Sequence, residues 1–73
     1  MPATDRLQML SDRELQVAEL VSTGHTNRQI ARSLSLSEKT VETYLRRIFA
    51  KLGVSSRAAV ASAVAWTEAQ LTA

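Results

Sequence analysis

Lys39, Thr43, Arg46 and Ala50 follow one another at spacings of 4, 3 and 4 residues, which at about 100° per residue places them on one side of a helix. Two cations, a hydroxyl and a small side chain on one outward face suit a helix lying against a grooved surface, with the alanine allowing close approach. On the other side Val41, Leu45, Ile48 and Leu52 repeat the 4, 3, 4 spacing as a narrow apolar stripe for burial. Positive charge gathers in the same segment. From Ser37 to Arg57, Lys39, Arg46, Arg47, Lys51 and Arg57 stand against Glu38 and Glu42, five cations to two acids, or +3. The rest carries four arginines against Asp5, Asp12, Glu14, Glu19 and Glu68, or −1, which together give the chain its net +2. A basic stripe on one element is what a polyanion binder needs; a solvated helix face has the same look.

Other chemistry finds little support. His25, the one histidine, has no triad or metal-ligand companion at useful spacing and reads as a loop residue. Asp12, Glu14 and Glu19 have the ordinary roles of helix start, capping box and solvated face, and Gly24 and Gly53 are isolated helix stops that form no phosphate-cradling loop. No enzyme, cofactor or metal is expected. With 73 residues the chain is one domain at most, with room for binding but little for a catalytic cleft. The absence of cysteine excludes disulfides and thiolate zinc sites. No apolar run approaches the roughly 18 residues of a membrane span, and the start MPATDRLQ lacks the apolar region of a signal peptide. The expectation is a soluble cytoplasmic domain with no membrane partner.

The elements that hold these residues are marked by punctuation. Ser11 with Glu14 makes a capping box flanked by Leu10 and Leu15 as a hydrophobic staple, so helix 1 starts at Asp12. Leu15, Val17, Ala18, Leu20 and Val21 give it an apolar face, and Gly24 takes the left-handed position that ends it. Thr26 with Gln29 repeats the box, starting helix 2 at Asn27 and running it to about Leu34. After the tight connection Ser35-Leu36, Ser37 caps helix 3, over 38–52, which Gly53 closes. Ser55 or Ser56 opens helix 4, which reaches about Gln70. No alternating strand pattern, repeat or low-complexity segment competes. Helices this short are marginal alone and must pack together, with Leu15, Val21, Ile30 and Leu34 against the helix 3 stripe. The fold class is therefore all-α, a four-helix bundle over residues 9–71 with residues 1–8 as a flexible tail or linker remnant. Helices 2 and 3, a short helix, a tight turn and a longer helix with a basic outer face, make a helix-turn-helix, whose second helix enters the DNA major groove.

Three separated segments then resemble a known family. Leu10, Ser11, Arg13 and Glu14; Gly24, Thr26, Asn27, Ile30 and Ala31; and Ser37, Thr40, Val41, Ile48, Lys51, Leu52, Val54 and Arg57 are similar, in order and spacing, to the motifs of the LuxR-type (NarL/FixJ) DNA-binding domain, over about Leu10 to Val64. The resemblance implies a bacterial transcriptional regulator that binds a promoter half-site as double-stranded DNA, dimerises through its last helix and has RNA polymerase as a further partner. By position in that frame, Lys39, Glu42, Thr43 and Arg46 face bases, and Thr26, Asn27, Ser37, Thr40, Arg47 and Lys51 face phosphates. Two departures limit the transfer of base specificity: Glu42 stands where the family often has lysine or arginine, and Tyr44 where it often has histidine. The ring of Tyr44 lies at the edge of the buried stripe and packs, leaving its hydroxyl wet or on a phosphate.

Glu42 has two readings from its own chemistry. Four residues before Arg46 and three after Lys39, it can pair within the helix and hold both cations ready. It can also accept a hydrogen bond from cytosine N4 while repelling phosphates, which penalises sequence-blind binding. Helix 4 is also open to two readings. Ala58, Ala59, Val60, Ala61, Ala63, Val64, Ala65 and Trp66 are apolar almost all round, so either a second copy covers Ala61, Val64, Ala65 and Trp66 in a twofold dimer, or alanine serves there only as a helix former. Trp66 is then an interface anchor or a core lid. Two rival functions remain: an RNA-polymerase sigma-factor region 4, against which the Lys51-Leu52-Gly53-Val54 segment and the alanine-rich fourth helix argue, and a helical protein-interaction module whose basic face is only solvated.

Overall fold

Ser11, Thr26 and Ser37 each hold an extended backbone and accept, on the side-chain oxygen, the amide hydrogen three residues on, at 3.1 Å in all three cases. At the first two the box is closed in return: Ser11 N–H donates to Glu14 Oε1 at 2.8 Å and Thr26 N–H to Gln29 Oε1 at 2.9 Å. Each box satisfies amides that a helix start otherwise leaves without partners. The computed structural model describes residues 6–72, with side chains through residue 66. The caps open α1 (Asp12–Ser22), α2 (Asn27–Leu34) and α3 (Glu38–Leu52), and α4 (Arg57–Thr72) follows with Ser56 Oγ accepting from Ala59 N–H. The fold is all-α, with no strand among the described residues. Among those residues no single helix is long and apolar enough to cross a membrane.

The helix ends use left-handed residues. At the end of α1, Gly24 (φ 89°) lets its own N–H reach Val21 O and that of His25 reach Leu20 O, the paired bonds of a Schellman motif. Gly53 (φ 67°) repeats this with Ala50 O and Val54 N–H to Phe49 O. Between α2 and α3 the same left-handed position is held by Ser35 (φ 56°), a residue with a Cβ where glycine is the unstrained choice.

The stripe predicted for α3 is buried whole: Val41, Leu45, Ile48 and Leu52 are 0–6% exposed. They meet Val17, Ala18 and Val21 of α1, Ile30 and Ala31 of α2, and Val60 and Val64 of α4 in one core. Full burial of an aliphatic side chain of this size contributes about 1.5–3 kcal/mol. α1 packs against both α3 and α4, while α2 packs on α3.

Two expectations are corrected. Leu15 is only half-buried, and Glu14, one residue earlier, lies in the interior at 3% exposure, on the same helix face as Val17, Ala18 and Val21, where its carboxylate pairs with Lys51. Residues 1–8 were expected as a tail, but Arg6 and Leu7 are packed. Leu7 belongs to the core, and Arg6 Nη1 donates to Leu52 O at 2.7 Å, a cation on the carbonyl end of α3. Residues 1–5 lie outside the described residues.

Candidate nucleic-acid interface

Because Val41, Leu45, Ile48 and Leu52 turn inward, the other side of α3 is delivered to the surface. Lys39, Glu42, Thr43, Arg46, Arg47 and Ala50 are exposed, and Thr40 and Tyr44 are half-buried along one flank. The four base-facing candidates, Lys39, Glu42, Thr43 and Arg46, thus share one open face. The helix has 15 residues, a length of about 22 Å, and none of the described residues covers that face.

Local bonds shape the flank. Thr43 Oγ1 donates back to Lys39 O at 3.2 Å, and Thr40 Oγ1 lies 2.9 Å from the Ser37 hydroxyl. The Arg47 guanidinium sits 5.8 Å from the centre of the Tyr44 ring, at cation–π range. Tyr44 packs its ring on the core, as expected. Thr40, Thr43, Tyr44 and Arg47 enclose a shallow hollow of about 280 Å³. Glu42 makes no ion pair with Lys39 or Arg46; among the described residues the one ion pair is Lys51 with Glu14.

That pair changes the standing of Lys51. Expected at the phosphates, its Nζ instead donates to Glu14 Oε1 at 2.7 Å, with 37% of the lysine side chain open to water and 4% of the glutamate's. Burial by itself raises the Glu14 pKa. The hydrogen bond from Lys51, that from the Ser11 backbone, the lysine charge and the Ser11 hydroxyl outweigh burial, and the net value lies below the ordinary carboxylate range. Of the other phosphate candidates, Thr26 and Ser37 are exposed caps of α2 and α3 and Asn27 is the half-buried first residue of α2, while Thr40 and Arg47 lie on the α3 flank beside Tyr44.

In the sequence Arg57 stands out only as a motif residue and as one of the cations of the 37–57 segment. Its guanidinium forks across two acceptors, Nη1 donating to Asn27 Oδ1 at 2.6 Å and Nη2 to the His25 carbonyl. It thereby ties the start of α4 to the start of α2. His25 has a local part as well, its Nδ1 lying 3.1 Å from Leu20 O and 2.9 Å from Thr23 Oγ1. On α4, Val64 was expected at a dimer interface, but it is buried in the domain's own core. It sits four residues after Val60, so both turn to the same side. Ala65 is exposed, Ala61 half-buried, and Trp66 is 46% exposed and does not close the core.

Comparisons with known proteins point to one family. The family model described as bacterial regulatory proteins, luxR family, matches residues 8–64. A Pseudomonas aeruginosa protein provisionally named a transcriptional regulator is 52% identical over 52 residues, covering 71% of this chain and 25% of its own. The nitrate/nitrite response regulator protein homolog of Haemophilus influenzae is 45% identical over 53 residues, 73% of this chain and 26% of that one. The oxygen regulatory protein NreC of Staphylococcus aureus is 43% identical over 54 residues, 74% of this chain and 25% of that one. The chain thus spans about a quarter of the length of these curated relatives. No solved structure matches it. A capped helix-turn-helix with an uncovered basic face, matched by the family model over most of its length, makes the chain a DNA-binding regulatory domain of the luxR family.

Proposed function

We propose that α3 docks in the major groove of double-stranded promoter DNA, with Lys39, Glu42, Thr43 and Arg46 toward the bases and Thr26, Asn27, Ser37, Thr40 and Arg47 toward the phosphates. The observation that carries this reading is the two-sidedness of α3, buried along one stripe and uncovered along the other. Phosphate oxygens suit the starts of α2 and α3, since the first-turn amides and the positive dipole end of a helix favour an anion. The Tyr44 hydroxyl and the Arg47 guanidinium beside that hollow offer further donors. Lys51 is withdrawn from the phosphate set, because a cation held by a buried carboxylate is not free to neutralise DNA. The chain acts as the output domain of a longer cytoplasmic regulator, a reading supported by its share of relatives named as regulators.

The test is binding to a duplex at two salt concentrations. Neutralised phosphates release counterions, so affinity falls steeply with salt; an affinity indifferent to salt would leave a protein-interaction module as the better reading. Arg47→Ala should weaken binding to all sequences alike and lower the salt slope by about one unit. A loss confined to one base pair would move Arg47 to the base-reading group.

Two copies joined through α4 would set two α3 helices on adjacent half-sites. The exposed Ala65 and Trp66 support this, with Ala61 at the edge of the same surface. Ala65→Glu should abolish cooperative binding to a paired site while leaving helicity and single-site affinity intact. Sedimentation showing one copy per paired site in the unaltered protein would remove the dimer.

A further inference from the structure

Arg57 lies outside the outer face of α3, yet its fork spans the turn that precedes α2 and the first side chain of α2. An asparagine amide has an acceptor end and a donor end on one carbon, and which end points where is fixed by its partners. With Oδ1 turned to a guanidinium, which only donates, the donor end is directed elsewhere. Asn27 Nδ2 has no acceptor among the described residues. Those residues include no buried side-chain nitrogen or oxygen without a partner, so Nδ2 is open to solvent.

We propose that Arg57 is a positioning residue for DNA binding: by holding Asn27 Oδ1 and the His25 carbonyl together, it fixes the Asn27 amide with its Nδ2 donors outward, ready for a phosphate oxygen. The inference rests on the proposed docking of α2 and α3 on DNA. It gives α4 a part in the contact made at α2, thirty residues earlier in the chain. The guanidinium is the group the task needs, because two parallel donors reach two acceptors at once, whereas a lysine ammonium is a point donor on a flexible stem.

The experiment uses the full chain and a fluorescent duplex of mixed sequence, with anisotropy titrations at two salt concentrations and thermal unfolding in parallel. Arg57→Lys should weaken binding roughly tenfold on all sequences, with the salt slope unchanged because the charge is kept and Arg57 itself touches no phosphate. In an Asn27→Ala background the same Arg57→Lys change should cost no further affinity. Asn27→Asp separates orientation from folding. It keeps an acceptor for Arg57, so the melting temperature is held or raised, but it removes the amide donors, so DNA affinity falls. Equal affinity losses from Arg57→Lys with and without the Asn27 side chain, or undiminished affinity in Asn27→Asp, would overturn the proposal while leaving DNA binding in place. An unaltered protein that does not bind the duplex would overturn both.

Discussion

Lys51→Met should lower the unfolding free energy by about 2 kcal/mol and the melting temperature by roughly 10 °C. The cause is the carboxylate left behind. Glu14 is 3% exposed, and without Lys51 Nζ its charge has only the Ser11 backbone and hydroxyl for company. Stranding one member of a fully enclosed pair costs about 3–5 kcal/mol; with 37% of Lys51 open to water the figure is smaller. In a domain whose total stability is on the order of 5 kcal/mol, this is a large share. Glu14→Gln alongside Lys51→Met should recover most of the loss, since glutamine keeps the capping-box acceptor without the charge.

The pH dependence follows in sign. The folded pKa of Glu14 is depressed, so its contribution is present above the ordinary value of 4.5 and is lost as pH falls through the folded value. Denaturant unfolding between pH 3 and 7 should show the Lys51→Met deficit shrinking toward acid, where the stranded carboxylate protonates. The opposite pattern, unchanged unfolding with a DNA salt slope one unit lower, would return Lys51 to the phosphates.

Glu42→Lys should raise affinity for non-specific DNA, steepen its salt dependence by about one unit and shrink the specific-to-non-specific ratio about tenfold. Glu42 is exposed on the face proposed to enter the groove, and no ion pair ties it to Lys39 or Arg46. Its charge is therefore unneutralised by the helix, and phosphates repel it wherever no cytosine N4 compensates. Glu42→Gln distinguishes a direct contact from an orienting one. The first relaxes discrimination at one base pair by about 1–3 kcal/mol; the second spreads small changes over the bases near Arg46. A selection from random duplexes, run with each variant, reads both. If neither substitution moves the ratio, Glu42 is a solvated helix residue.

What the sequence revealed is what neighbours in sequence decide. The boxes at Ser11 and Thr26, the cap at Ser37 and the stops at Gly24 and Gly53 involve partners within a few residues, and the helices begin where those partners require. The α3 stripe was legible for the same reason, because a 4, 3, 4 pattern declares its own inner side. Partners far apart left no local trace. Lys51 meets Glu14 across 37 positions, Arg57 meets Asn27 across 30, and Arg6 meets Leu52 across 46, so a capping glutamate, a motif arginine and a presumed tail could not disclose their second roles. On α4 the alanines hide the direction of burial: apolar residues all round give Val64 no contrast to mark it as inward. Ser35 adopts a left-handed turn with a side chain that does not announce it.

The separation of the two sides of α3 bears on how such a domain changes its target. Lys39, Glu42, Thr43 and Arg46 are exposed and, among the described residues, take part in no ion pair, and surface substitutions of that kind shift stability by no more than about 0.5 kcal/mol. The positions that would set DNA preference can therefore drift almost independently of those that keep the chain folded. Retargeting the domain, by natural variation or by a designed library over these four positions, need not pass through unfolded intermediates; a library drawn at Val41, Leu45, Ile48 and Leu52 would be filtered by folding before any DNA was read.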